Sequence, residues 1–163
     1  MAQELRFKVA IIGGGPAGCI CAYFLQNNFD VTIFDKKAPL KTLLPTGGGR
    51  CNLCHAEYDF KELASNYPRG EKFLYSVFSK FATAETIEFF ENIGIKTYVQ
   101  DDMRIFPVSN SSADVRKKFL KTLNKVRFVK EEVLRINEGF SVVTNMGAYK
   151  ADYVVIATGG HSS

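Results

Sequence analysis

A glycine-rich segment near the N-terminus constrains the fold of this chain more than any other feature. The residues Gly13-Gly14-Gly15-Pro16-Ala17-Gly18 follow a short apolar run, Phe7–Ile12, and begin an apolar stretch that reaches Asn28. A second β-branched run, Val31–Phe34, ends at Asp35, 22 residues after Gly13. Strand, helix and strand within about 30 residues form a βαβ unit, so we predict that the two strands are parallel.

The spacing of these residues fits the G-x-G-x-x-G pattern of a dinucleotide-binding turn. In that pattern Gly13 permits the tight turn, Gly15 lets the backbone approach a pyrophosphate, and Gly18 lets the helix pack close to the sheet. The N-terminus of the helix that begins at Pro16 offers the free amide groups of its first turn to the phosphates, and the Asp35 carboxylate can accept hydrogen bonds from a ribose. The alternative is a purely structural glycine turn with an exposed aspartate, which this strand–turn–helix context disfavours.

Hydrophobic periodicity predicts four helices. The first has Ala17, Ile20, Cys21 and Phe24 on one side, and we interpret the aromatic stripes of the second and third as core. Gly94 ends the third helix, and Ser111 or Ser112 caps the fourth. The predicted ranges are Pro16–Asn28, Glu71–Phe81, Thr83–Ile93 and residues 111–124, and a strand is predicted at Ile95–Val99.

The C-terminal third of the chain is typical of strands, with turns at Glu138-Gly139 and 145–147. The predicted strands are Arg127–Val129, Val133–Asn137, Phe140–Thr144, Tyr149–Ala151 and Tyr153–Ala157. These strands predict an antiparallel meander, whereas NAD dehydrogenases of the short-chain type continue with βα alternation. The last strand leads into Ala157-Thr158-Gly159-Gly160, which resembles the second glycine motif of two-dinucleotide flavoproteins. We therefore predict an α/β fold, a Rossmann-like FAD/NAD(P)-binding domain over residues 1–163. Its partly parallel sheet carries helices and an antiparallel meander.

Composition excludes several other classes of protein. The chain is 46% hydrophobic and 23% charged, as in folded globular proteins, and its net charge is only +4. The densest basic cluster, at 116–121, is interpreted as a solvated helix face, so no nucleic-acid partner is expected. The uncharged run Val9–Leu25 contains three consecutive glycines and a proline, so we expect no targeting segment, no membrane association and a cytoplasmic protein with reduced thiols.

The segment Pro45-Thr46-Gly47-Gly48-Gly49-Arg50-Cys51-Asn52 resembles the Ser-Gly-Gly-Gly-Arg-Cys-Asn motif of the BaiN/RdsA-type NAD(P)/FAD-dependent oxidoreductases. This bacterial flavoprotein family also carries bile-acid-reductase and aminoacetone-oxidase labels. Phe106-Pro107-Val108-Ser109 and Ser112-Ala113-Asp114-Val115 resemble it too, in the same order. Thr46 replaces the usual serine and keeps its hydroxyl. The resemblance spans essentially the whole chain.

The resemblance implies a set of FAD contacts. The first glycine motif would hold the pyrophosphate and Asp35 the adenosine ribose, while Val133 would contact adenine through its backbone. Arg50 would neutralise negative charge beside the cofactor. The residues implied are Gly13, Gly15, Pro16, Ala17, Gly18, Asp35, Gly48, Gly49, Arg50, Cys51, Asn52, Val133, Ala157, Thr158 and Gly159.

The resemblance also implies the reaction, which is hydride transfer between FAD and NAD(P)H or an organic substrate that the sequence does not identify. The sequence contains no identifiable Ser/His/Asp or paired-carboxylate arrangement, so no catalytic residue is assigned; this is compatible with a flavoenzyme, in which the cofactor carries the chemistry. No metal site is predicted. Family members are much longer, with a substrate domain and a C-terminal return segment. We therefore expect this chain to be a natural truncation or an excised domain. The alternative function is a fragment that binds flavin weakly or not at all and has no turnover; the sequence leaves the oligomeric state open.

Cys51-Asn52-Leu53-Cys54-His55 permits other interpretations. It matches C-x-x-C-H, the attachment pattern of c-type haem, but that chemistry requires export. Zinc would need a fourth ligand, and His161 is the only other histidine. A redox dithiol at Cys51 and Cys54 is more plausible than either, and a pair of non-catalytic thiols is the interpretation we favour.

Overall fold

The computed structural model describes residues 6–160, which form ten β-strands and five α-helices. His161 lies outside the described residues. Among the residues described, no helix is long and apolar enough to cross a lipid bilayer. In chain order the elements are β1 (Lys8–Ile12), α1 (Pro16–Leu25), β2 (Asp30–Phe34), β3 (Cys54–His55), α2 (Phe60–Ser65), α3 (Glu71–Phe78), α4 (Thr83–Asn92), β4 (Thr97–Val99), β5 (Arg104–Pro107), α5 (Ser112–Thr122), β6 (Arg127–Val129), β7 (Val133–Asn137), β8 (Ser141–Thr144), β9 (Ala148–Lys150) and β10 (Tyr153–Ile156).

The described residues divide into two compact units. The first unit comprises residues 6–43 and 120–160, and the second comprises residues 44–119. The first contains the predicted βαβ segment and the C-terminal strands. The second contains the segment that resembles the family motif around Arg50.

A four-stranded parallel sheet forms the centre of the first unit, in the order β10-β1-β2-β6. Ile12 is in register with Phe34 on one side and with Ile156 on the other. The parallel pairing of β1 with β2 confirms the βαβ prediction. The carboxyl ends of three neighbouring strands therefore meet at one edge, where ligands bind in sheets of this kind.

The predicted antiparallel meander is also confirmed, as the sheet β7-β8-β9. Its fully buried Val142 packs with Ala10, Ile12 and Phe34 of the parallel sheet. The Tyr149 ring meets the Phe34 ring edge to face at 5.0 Å. Of the strands predicted in this region, β6 and β10 instead join the parallel sheet. The meander thus covers one face of the parallel sheet.

Helix α1 corrects one part of the sequence interpretation. Its buried residues are Gly18, Cys19 and Ala22, rather than the side that carries Phe24, which is 56% exposed. Small side chains face the sheet because the helix lies too close for larger ones: a Cβ on Gly18 would overlap the carbonyl oxygen of Gly13. Close packing against the sheet determines which face of α1 is buried, and the hydrophobic pattern alone did not predict that face.

The second unit contains the three-stranded antiparallel sheet β3-β5-β4 and the helices α2 to α4. The sequence predicted β4 and the helices α3, α4 and α5, each within a few residues of its bounds. It did not predict α2, β3 or β5. Strand β3 has two residues, and β5 ends in Pro107, so neither shows the alternating pattern that identifies a strand.

The interpretation of the α3 aromatic stripe as core is wrong. No residue of α3 is buried, and the Phe73 side chain is 73% exposed. One side of α3 packs on the α2 region through the ring pairs Phe60–Tyr75 and Tyr67–Phe78. The other side has no covering element among the described residues of this unit. In α4, by contrast, the predicted Phe90 is buried.

Two glycines of the first motif should be indispensable to the fold. A Cβ on Gly13 would overlap the Ala157 carbonyl, and φ at Gly13 is +110°; a Cβ on Gly18 would overlap the Gly13 carbonyl. We expect Gly13→Ala and Gly18→Ala each to lower the free energy of unfolding by at least about 2 kcal/mol, measured by urea denaturation. Gly147→Ala is the matched control, because its Cβ would meet nothing within 4 Å. A Gly18→Ala protein that unfolds at the wild-type urea midpoint would contradict this account.

Candidate functional site

The turn after β1 brings three strand ends together. The Gly13 amide donates a hydrogen bond of 2.8 Å to the Phe34 carbonyl at the end of β2. The Ala157 amide, just after β10, donates to the Ile12 carbonyl, also at 2.8 Å. Gly13 is thus held between the ends of its two neighbouring strands, and the chain leaves this point into α1.

The N-terminus of α1 begins at Gly15, the N-cap, followed by Pro16 at the first helical position. Gly15 has no side chain to bind the first amides, and the first turn contains no acidic residue. The amides of this turn and the helix dipole therefore face the turn without a side-chain acceptor. Such an end suits an anionic ligand.

The fold does not itself require a glycine at position 15. Its φ is −76°, which any residue adopts, and a Cβ there would meet only the Thr42 hydroxyl, at 3.7 Å. Gly13 and Gly18, by contrast, are required by contacts within the protein. A missing side chain at position 15 leaves the backbone open to approach from outside the protein.

Asp35 is half-buried at the end of β2, and backbone amides orient its carboxylate. Its Oδ2 accepts a hydrogen bond of 2.7 Å from the Gly14 amide, and its Oδ1 accepts one of 2.7 Å from the Lys37 amide. Each carboxylate oxygen can accept a second hydrogen bond. The acid is therefore held in one orientation beside the glycine turn.

A cleft of about 290 Å³ lies in the first unit and collects predicted residues from four separate segments. Gly13, Asp35, Val133 and Thr158 all line it. Ala157 and Gly159 flank Thr158, and Gly159 has a φ of +79°. The structure thus brings together residues that were predicted from the sequence, and their roles in binding stay predictions.

Three charged residues of this cleft were not predicted from the sequence, which are Lys36, Glu131 and Glu132. Glu131 accepts hydrogen bonds from the hydroxyls of Thr144, at 2.6 Å, and Tyr149, at 2.8 Å. The bond to Glu131 raises the pKa of Tyr149. Lys36 and Glu132 are direct neighbours of the predicted Asp35 and Val133, and this adjacency is the signal that could have identified them.

The remaining predicted residues lie in the second unit, in a tight loop of left-handed backbone. Gly48 and Gly49 have φ values of +66° and +85°, and Cβ atoms on either would meet nothing within 4 Å. Cys51 also has a positive φ, and its amide donates to the Thr46 carbonyl at 3.0 Å. Asn52 is exposed. The loop presents bare backbone on its outer side.

Arg50 is fixed by three contacts within the second unit. Its Nε donates to the Gly47 carbonyl at 3.3 Å, and its Nη1 donates to the Gln100 side chain at 3.1 Å. The guanidinium lies 4.1 Å from the centre of the Phe106 ring, in cation–π contact. Arg50 therefore braces the glycine loop against neighbouring segments, a structural role that the sequence did not predict.

Of the two cysteines in the C-x-x-C segment, Cys51 is buried and Cys54 is half-buried. Burial raises the pKa of Cys51, although a hydrogen bond with Thr46 acts in the opposite direction, and burial raises the pKa of Cys54 to about 11. Both cysteines are free. Within residues 6–160, no three His, Cys, Asp or Glu side chains are grouped to hold a metal ion. These surroundings favour the non-catalytic interpretation of the thiols over a redox dithiol.

We expect Cys51 and Cys54 to react slowly with iodoacetamide near pH 7, because only the thiolate is nucleophilic and a raised pKa keeps both thiols protonated. The alkylation rate of each cysteine, followed by mass spectrometry, should keep rising with pH beyond 9, and for Cys54 up to about pH 11. Free glutathione provides the reference thiol. An inflection below pH 8 at either cysteine would instead favour the redox dithiol.

Comparison with known proteins places the chain among relatives of greater length. Residues 7–163 match the family model described as "HI0933-like protein Rossmann domain". A 3-dehydro-bile acid delta(4,6)-reductase of Clostridium scindens is 32% identical over 168 residues, and a ribosomal RNA dihydrouridine synthase of Escherichia coli is 28% identical over 165 residues. Each alignment covers 96% of this chain and 40% of the relative. The chain thus spans less than half the length of these relatives.

Solved structures share the fold at low sequence identity. The glycine oxidase of Bacillus cereus has a TM-score of 0.51 and 20% identity, with 94% of this chain and 55% of that chain covered. THI4 of Thermovibrio ammonificans has a TM-score of 0.53 and 15% identity, with 94% and 57% covered. The fold prediction and the family resemblance are both confirmed: this chain belongs to the HI0933-like Rossmann-domain family.

Proposed function

We propose that this chain is the FAD-binding part of a flavin-dependent oxidoreductase. The observation that carries the proposal is the arrangement at the carboxyl edge of the parallel sheet. The α1 N-terminus has no side-chain cap, and a side chain at Gly15 would meet only Thr42. The carboxylate of Asp35 is oriented by the Gly14 amide, and Asp35 lines the cleft of this unit. The name of the Clostridium scindens relative, a reductase, supports the reaction class.

The first unit fits the adenosine diphosphate half of FAD. Its cleft of about 290 Å³ has the size needed for a nucleoside, and Gly13 and Thr158 are among the residues that line it. In this assignment the Asp35 carboxylate accepts hydrogen bonds from the ribose hydroxyls. It uses the lone pairs that are not engaged by the amides of Gly14 and Lys37. Val133 contacts the adenine through its backbone.

The α1 N-terminus is the proposed pyrophosphate site. Amides of Gly15, Ala17 and Gly18 donate to the phosphate oxygens, and the helix dipole stabilises their negative charge. Pro16 fixes the first helical φ without adding a donor that must be satisfied. The open backbone at Gly15 supports this assignment, because a Cβ there would project toward the approaching ligand rather than into the protein.

In the second unit we propose that Gly48, Gly49, Arg50, Cys51 and Asn52 line the cofactor, as the family resemblance implies. The support is that the backbone of Gly48 and Gly49 is bare and the Arg50 guanidinium is held at a fixed position by Gly47 and Gln100. A cation held by the protein can neutralise negative charge on a ligand without reorganising.

When bound, FAD supplies the hydride chemistry. The chain's residues bind and orient the cofactor: α1 holds the diphosphate, Asp35 sets the position of the ribose, and the glycine loop around Arg50 provides a rigid lining. We further propose that the whole enzyme transfers a hydride between FAD and either NAD(P)H or an organic substrate, and that the protein is cytoplasmic.

Gly15→Ala tests the pyrophosphate site apart from the fold. A methyl group here should change the free energy of unfolding by about 1 kcal/mol or less and weaken FAD binding at least about tenfold, because it blocks the approach of the diphosphate. Isothermal titration calorimetry with FAD measures the affinity. Gly147→Ala, in an exposed turn of the same unit, is the control and should bind as the wild type does. Unchanged affinity in Gly15→Ala would remove the pyrophosphate assignment.

Asp35→Ala tests the ribose site. Loss of hydrogen bonds to a charged acceptor should weaken FAD binding about ten- to a hundredfold. The matched control is Asp152→Ala. The Asp152 carboxylate also accepts a hydrogen bond from a backbone amide, that of Lys8 at 2.7 Å, but Asp152 does not line the cleft. The expected result is a loss of affinity in Asp35→Ala alone. Equal affinities in the two variants would refute the ribose assignment.

A further inference from the structure

The cleft proposed to bind adenosine carries an excess of negative charge. Asp35, Glu131 and Glu132 line it, and Lys36 is the single lysine or arginine among its described lining residues. The nearby Lys37 and Lys130 line a separate hollow. A ligand part that fits this cleft should itself be uncharged, as an adenosine with free ribose hydroxyls is.

Lys36 is already paired. The Lys36 ammonium lies 2.8 Å from Oε1 of Glu132. The bond to Glu132 is the main cause of the raised pKa of Lys36, and the charge of Asp35 adds to it. Lys36 follows the residue proposed to bind ribose, and Glu132 precedes the residue proposed to contact adenine. The ion pair therefore joins two segments of the cleft wall that are 96 positions apart in sequence.

We propose that this cleft discriminates against adenosine nucleotides that carry a 2′-phosphate, and that Glu132 contributes to the discrimination by holding Lys36. This inference rests on the proposed function and adds a ligand preference that depends on an ion pair. It assigns Glu132 and Lys36 a role in specificity rather than in affinity for FAD.

The physical reason is a mismatch of charge. A phosphate monoester brings nearly two negative charges close to the carboxylate of Asp35. Lys36 is the residue able to neutralise it, and that lysine must first leave Glu132, whose own negative charge would then repel the ligand. Removing the charge of Glu132 frees Lys36 and eliminates one repulsive group. Both side chains are more than half exposed, so solvent screening limits the effect of Glu132 to a few-fold.

The test compares ADP-ribose with ADP-ribose 2′-phosphate, which differ only in that phosphate and contain no flavin. We expect the wild-type chain to bind ADP-ribose about tenfold more tightly, measured by isothermal titration calorimetry at low ionic strength. Glu132→Gln should reduce this preference about three- to fivefold by strengthening binding of the 2′-phosphate. The double variant Lys36→Met/Glu132→Gln should lose most of that gain, because the cation is gone.

Controls separate this effect from general changes in charge. Breaking the partly exposed Lys118–Asp114 ion pair on α5 with Asp114→Asn makes the same change in net charge and should leave the preference unaltered. Equal wild-type affinities for the two ligands, or a Glu132→Gln protein with the wild-type preference, would overturn the inference.

FAD binding is measured on the same samples to distinguish the two proposals. If FAD binds but the preference is absent, the specificity proposal fails and the proposed function stands. If ADP-ribose binds with the expected preference but FAD does not, the proposed function fails and the specificity proposal stands. If neither ADP-ribose nor FAD binds, both are refuted.

Discussion

The close approach of backbone at Gly13 is the constraint on which the rest of the first unit depends. At this position the ends of β1, β2 and β10 come so near to one another that a side chain would overlap the Ala157 carbonyl. The same tight packing continues into α1, where Gly18 lies against the Gly13 carbonyl. Because main chain rather than side chains fills this corner, the first turn of α1 begins directly at the carboxyl edge of the sheet.

The glycines of this one motif therefore have different roles. Gly13 and Gly18 are required by contacts inside the protein, whereas nothing in the surrounding structure requires Gly15. The carboxylate of Asp35 similarly stabilises the fold by accepting hydrogen bonds from two backbone amides, and its oxygens can still accept hydrogen bonds from a ligand. Structural and ligand-binding roles can thus be separated residue by residue, even where the residues are adjacent in sequence.

The sequence predicted those features whose signal is local. The βαβ segment is confined to about 30 residues with a characteristic turn, so its strands, its helix and their parallel pairing were foreseeable. The partners of Lys36 and Arg50 were not, because Glu132 and Gln100 are far away in sequence and only the folded chain brings them near. Exposure of the α3 stripe was also unforeseeable, since periodicity shows which residues share a helix face but not whether another element covers that face.

Amide-resolved NMR of the labelled chain, titrated with ADP, tests the central claim most directly. ADP contains the adenosine and the diphosphate but no flavin, so it reports on the first unit alone. We predict the largest chemical-shift changes at the amides of Gly15, Ala17 and Gly18, with a second set at residues 131–133. Saturable shifts that fall elsewhere, with the α1 amides unmoved, would contradict it.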